Sequence, residues 1–168
     1  MFASLAPAAL LLGCSESAEQ AQSSTKPSTP AWVLTAAPEG AVSVLEAKAS
    51  AKEGDEIVLR GRIGGGAEPV SAESSVIRIV DAGLFNQCTV EDDHCPTPWD
   101  YCCASSEELV GHSATVQLVD GSGNPITQSP TAHGFVGLDE VIVRGTVGAR
   151  PNDEVLVVRA TGIYRKGG

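Results

Sequence analysis

Five short runs rich in Val and Ile, each bounded by turn-forming residues, set the main constraint on what this chain can fold into. EIVLRGRI (56–63) follows Glu53-Gly54-Asp55 and stops at Gly64-Gly65-Gly66. VIRIVD (76–81) and ATVQLVD (114–120) end alike, in Asp before Ala-Gly or Gly. VIVRGTV (141–147) and VLVVRATGIY (155–164) are joined across Ala149-Arg150-Pro151-Asn152-Asp153. In the first run Ile57, Leu59, Gly61 and Ile63 alternate with Glu56, Val58, Arg60 and Arg62, the period of two that gives a strand one apolar face. Aromatic residues make up only 4% of the chain, so Val, Ile and Leu must supply most of any core. At 168 residues there is room for one ordinary domain and some tail.

VSVLEAKASA (42–51) has a different character. Its Leu, Ala, Glu and Lys content favours a short helix docked on the sheet, with an extra edge strand as the alternative. Gly64-Gly65-Gly66 follows a strand without a helix start behind it, so it reads as a flexible turn and not as a phosphate cradle.

The order of these pieces resembles an exported OB-fold domain. VSVLEAKASAKEGDEIVLRGRI resembles the helix-then-strand opening of such domains, and DEVIVRGTVGARPNDEVLVVRATGIY resembles their closing strand pair. A long insertion separates the second and third strands, and an irregular connection separates the third and fourth. The resemblance spans residues 40–168 and implies a mainly β fold: a small five-stranded OB-like barrel with a short N-terminal helix and a Cys-rich insertion loop at 84–108. A small β-sandwich is the competing architecture.

OB barrels often bind oligonucleotides or oligosaccharides. The charge excludes the first class. The formal net charge is −10, and between Arg78 and Arg144 there is no Lys or Arg but ten Asp and Glu. Such a surface repels phosphate, and neither VIRIVD nor ATVQLVD carries aromatic residues for stacking bases. No nucleic acid partner is expected.

The N-terminus reads as an address. MFASLAPAALLLGC has an apolar stretch from Leu5 to Leu12, too short to span a bilayer as a helix, ending in a small residue and a cysteine. Leu11-Leu12-Gly13-Cys14 resembles the lipobox of bacterial lipoproteins, which implies cleavage before Cys14 and its lipidation. No Lys or Arg precedes the apolar stretch, a departure from that pattern. Residues 15–39 begin with a polar, proline-punctuated run that cannot bury enough surface to offset the entropy of ordering, and are expected to form a tether. By the same resemblance, Ser15 after the acylated cysteine points to the periplasmic face of the outer membrane, if the cell is Gram-negative.

The densest chemistry lies in CTVEDDHCPTPWDYCC (88–103). With Cys14 set aside, Cys88, Cys95, Cys102 and Cys103 form an even set, as a disulfide framework in an exported protein would. Bonding the adjacent Cys102 and Cys103 would force a strained ring. That leaves Cys88–Cys102 with Cys95–Cys103, or Cys88–Cys103 with Cys95–Cys102, at about 2–3 kcal/mol per bridge. The alternative is a metal site, zinc or copper held by Cys88, His94, Cys95, Cys102 and Cys103, although zinc sites usually gather thiolates in tighter C-x2-4-C pairs. A redox-active vicinal pair is the third reading. Glu91-Asp92-Asp93 lacks the alternating ligands and glycine of a calcium loop and reads as a solvated tip.

Pro96 and Pro98 stiffen the segment around Trp99 and Tyr101. Those two aromatics either form a local mini-core or serve as an exposed anchor for a protein or saccharide partner. His94, His112 and His133 are scattered, and no nucleophile or metalloprotease motif accompanies them. The sequence therefore points to a lipid-anchored envelope protein acting as a non-catalytic binding module without a cofactor. The rival is a metal-binding or thiol-redox protein built on the cysteine loop.

Overall fold

The computed structural model describes residues 29–90 and 94–167. Cys14 and the lipobox lie outside the described residues. The elements are β1 (Val42–Ser43), α1 (Val44–Ser50), β2 (Glu56–Ile63), β3 (Val76–Val80), α2 (Ser106–His112), β4 (Ser113–Leu118), β5 (Glu140–Val147) and β6 (Val157–Arg165). Single 3-10 turns occupy Gln87–Thr89, Pro98–Asp100 and Pro130–His133.

The sheet closes on itself. β2 runs antiparallel to β3, β3 antiparallel to β4, and β4 parallel to β6. β6 is antiparallel to β5, which returns antiparallel to β2 with Leu59 opposite Val143. This is a closed five-stranded mixed barrel of OB-like order, and the closure separates it from a two-sheet sandwich. β1 adds only a two-residue parallel pairing to β2 before the chain turns into α1, so the helix and the edge-strand alternatives both hold, in succession.

Alternation decides the core. Ile57, Leu59, Gly61 and Ile63 are all buried, while the opposite set on β2 is exposed or half-buried. Leu59, Ile63, Ile77, Ile79, Val116 and Val158 meet inside the barrel with no residual exposure. Each contributes about 1.5–3 kcal/mol by leaving water. No helix among the described residues is long and apolar enough to cross a membrane.

α1 starts at a capping box. Ser43 Oγ accepts from the Glu46 amide at 3.2 Å, and Glu46 Oε2 accepts from the Ser43 amide at 2.8 Å. Those hydrogen bonds hold the Glu46 carboxyl below its usual range. Val44 and Ala47 bury the helix face. Asp81, buried at the end of β3, accepts from the Leu45 amide with one oxygen and from Gly83 with the other. One carboxylate thus fixes both the helix entry and the turn leaving β3.

Two expectations are corrected. Residues 32–34, expected within a tether over 15–39, are packed on the barrel: Trp32 is buried, its carbonyl accepts from Ile163 at 2.8 Å, and the Leu34 amide donates back to the Ile163 carbonyl at 2.8 Å. Trp32 also packs edge-on against His133, with ring centroids 5.0 Å apart. Nor is the glycine run a flexible turn. Gly64 and Gly65 are buried, and Arg78 Nη1 donates to the Gly65 carbonyl at 2.6 Å.

Candidate functional site

The connection from β3 to β4, residues 81–112, carries the cysteines. It folds around Asn86, a side chain sequence reasoning passed over. Asn86 Oδ1 accepts from the Cys88 amide at 3.0 Å, starting the 3-10 turn Gln87–Thr89. Its Nδ2 donates to the Pro98 carbonyl at 2.7 Å, reaching the second turn, Pro98–Asp100. Asn86 is buried, so it joins the two halves of the loop where water cannot compete. An Asn two residues before a turn amide is a known local signal, but its second partner is not legible from spacing.

The second turn ends at Tyr101, whose left-handed backbone (φ 57°) reverses the chain. Asp100 braces the reversal. Its Oδ2 accepts from the Thr97 hydroxyl at 2.7 Å and its Oδ1 from the Cys102 amide at 2.8 Å. The Thr97 bond is the main reason the Asp100 carboxyl sits below its ordinary range.

These turns bring the cysteines into one cluster and not into two pairs. Cys88 Sγ lies 3.3 Å from Cys102 Sγ and 3.9 Å from Cys103 Sγ. Cys102 Sγ is 3.9 Å from both Cys95 Sγ and Cys103 Sγ. No disulfide joins them, which corrects both expected pairings. The physical reason is that Cys102 occupies the centre, close to every other sulfur at once. Cys88 is buried, Cys95 half-buried, and Cys102 and Cys103 are exposed. Burial opposes ionisation of Cys88, but thiol hydrogen bonds from Cys102, Cys95 and Cys103 outweigh it and draw the group below its usual range. The same bond to Cys88 is the chief cause pushing Cys102 upward.

His94, expected among the donors, is exposed and not part of the cluster; Asp100 takes that place. A ligand atom from each of Cys88, Cys95, Asp100 and Cys102 lies within 4.8 Å of all the others. The two remaining histidines stand apart. His112 Nδ1 is 2.8 Å from the Glu108 carbonyl on α2, and His133 packs on Trp32.

Trp99 and Tyr101 separate in role. Tyr101 is 1% exposed and offers no surface to a partner, correcting its assignment as an anchor. A Cβ on Gly64 would lie 2.8 Å from the Tyr101 ring and 2.8 Å from the Trp99 carbonyl. The neighbouring Gly65 amide donates to that carbonyl at 2.8 Å. The glycine run is thus the seat on which the cysteine loop docks.

Trp99 is half-buried. Its Nε1–H donates to the Ala67 carbonyl at 3.1 Å, and its side chain rests on Gly137. With Pro69, Val70, Phe135 and Val136 it lines a mainly apolar hollow of about 450 Å³, bordered by Glu68 and Thr131. Val136 is 55% exposed, so the hollow opens to solvent. Sequence reasoning missed Phe135 and Val136, because nothing in the 119–139 connection signals that it returns to the cysteine loop.

No protein-family model matches the chain, and no curated protein does. Among solved structures it is similar to the hypothetical protein ygiW from E. coli, at 17% identity over 77% of this chain and 94% of that one. The TM-score of that superposition is 0.37, a loose match that adds nothing to the topology described above.

Proposed function

We propose that this chain is a non-catalytic binding module held at the cell envelope by a lipid on Cys14, and that it takes a saccharide in the hollow beside Trp99. The observation that supports this reading is the state of the indole. Its only donor is already used by Ala67, so the ring is held in place and presents carbon surface to an open, apolar hollow. A fixed aromatic surface with a polar border suits the apolar face of a sugar ring, with Glu68 and Thr131 available to hydroxyl groups. The acidic interval from Arg78 to Arg144 argues against phosphate-rich ligands.

Two experiments test the two parts. Calorimetric titration with N-acetylglucosamine oligomers should give binding to the wild-type chain that Trp99→Ala abolishes while the chain remains folded. Equal binding by both proteins would remove the hollow from the account. For the anchor, Cys14→Ser should move the protein out of the membrane fraction, and continued retention would count against lipidation.

A further inference from the structure

We infer that the cysteine loop is a zinc site, with Cys88, Cys95 and Cys102 as thiolate ligands and the Asp100 carboxylate in the fourth position.

Geometry carries this. Zinc–sulfur bonds of about 2.3 Å in a tetrahedron place neighbouring sulfurs about 3.8 Å apart. The sulfur of Cys95 stands 3.9 Å from Cys102, at that value, and the sulfur of Cys88 stands 3.3 Å from Cys102, so it need open by only about 0.5 Å to reach it. A disulfide requires about 2.05 Å between its two sulfurs, whereas Cys102 stands 3.3 to 3.9 Å from each of the other three. The carboxylate completes a set of four donors whose atoms all lie within 4.8 Å of one another.

The surroundings of the donors also suit an ion. Thr97 and the Cys102 amide fix the Asp100 carboxylate in place, the kind of outer contact that orients a ligand. Asn86 fixes the Cys88 backbone and ties it to the turn bearing Asp100. Three soft sulfurs select a thiophilic cation, and a set of three thiols and one carboxylate within 4.8 Å of one another has the number and type of donors zinc takes, whereas hard calcium or magnesium would require an oxygen cage. Binding breaks the S–H bonds of the ligating thiols and releases their protons to solvent, with no change of oxidation state. Cys103, 3.9 Å from Cys88 and from Cys102, stands beside the ion without being needed to hold it. Ligation would also keep these sulfurs reduced in an oxidising compartment. The inference is independent of the saccharide reading, since the hollow and the thiols use different side chains.

The test uses the full chain, extracted from membranes in detergent without chelator, equilibrated with zinc and exchanged into zinc-free buffer. Elemental analysis should find one zinc per chain. Alkylation should be slow until a chelator is added and then proceed without any reductant. Cys95→Ser should lose the zinc, Asp100→Asn should weaken its retention by about tenfold or more, and Cys103→Ser should keep it. The wild-type measurement needs no variant to fold. Intact mass showing two disulfides, with alkylation only after reduction, overturns the inference. So do free alkylation without metal, stoichiometric copper in place of zinc, and loss of zinc from Cys103→Ser equal to that from Cys95→Ser.

Discussion

Trp99 rests on Gly137 so closely that a Cβ on the glycine would lie 2.7 Å from the tryptophan Cβ and 2.8 Å from its Cγ. That contact joins the cysteine loop to the segment entering β5, two stretches of chain that the barrel brings together. It fixes one side of the indole and leaves the rest to the hollow. Gly137→Ala should therefore displace Trp99 and lower saccharide affinity by about tenfold, or 1.4 kcal/mol. The cost to folding should stay within about 1–3 kcal/mol, the usual range for overpacking. Calorimetry and urea unfolding on the same sample separate the two effects.

Asn86→Ala should be the more damaging change for stability. It removes the acceptor for the buried Cys88 amide and the donor to the half-buried Pro98 carbonyl. A loss of about 1–3 kcal/mol follows for each buried group left without a partner. Urea unfolding should show it. A change under 0.5 kcal/mol, the scale of an ordinary surface substitution, would show that the two turns hold without it.

Tyr101→Phe should behave in the opposite way. The Tyr101 hydroxyl is buried without a hydrogen-bond partner among the described residues. Deleting an unsatisfied hydroxyl while keeping the ring should leave stability unchanged or raise it by about 1 kcal/mol. Thermal unfolding of the variant reads this directly, and a clear loss of stability would reveal a partner for the hydroxyl.

The barrel was legible because burial alternates with period two wherever a strand has one wet face. Glu56–Ile63 follows that rule without exception, and so the expected and observed limits of β2 coincide. Trp32 escaped because a lone aromatic in polar, proline-bearing sequence carries no periodic signal, yet it joins β6 through Ile163. α2 was announced only by Ser105 and Glu108, a capping box hidden inside a loop dominated by its cysteines. Within the site, the even count of four cysteines suggested two bridged pairs, and the fold gathers them into one cluster instead. Spacing could not foresee that the left-handed backbone of Tyr101 places Asp100 and Cys102 together, or that this geometry excludes His94.

Glu140 gives the fold a measurable pH dependence. Its carboxylate accepts from Lys166 at 2.9 Å and pairs with Arg62 at 3.3 Å, linking β5 to the end of the chain and to β2. The Lys166 hydrogen bond is the first cause holding its pKa below the ordinary value, with Arg62 adding to it. A carboxyl with a depressed folded pKa contributes stability that is fully present above its unfolded value of about 4.3 and is lost as pH falls through the folded value. Glu140→Gln should cost about 0.5–1 kcal/mol at neutral pH, and the difference from wild type should vanish on acidification below that window. A penalty that persists unchanged in acid would mean that the ion pairs are not its source.

The most direct measurement follows the two indole N–H resonances of ¹⁵N-labelled protein during titration with N-acetylglucosamine oligomers. Trp99 lines the hollow and Trp32 lies behind its Phe135 wall, with ring centroids 6.3 Å apart, so the two indoles report from different depths. The Trp99 signal should shift in a saturable way and by more than the Trp32 signal. A titration that moves neither resonance, or moves Trp32 alone, would contradict the assignment of the Trp99 hollow as the binding site.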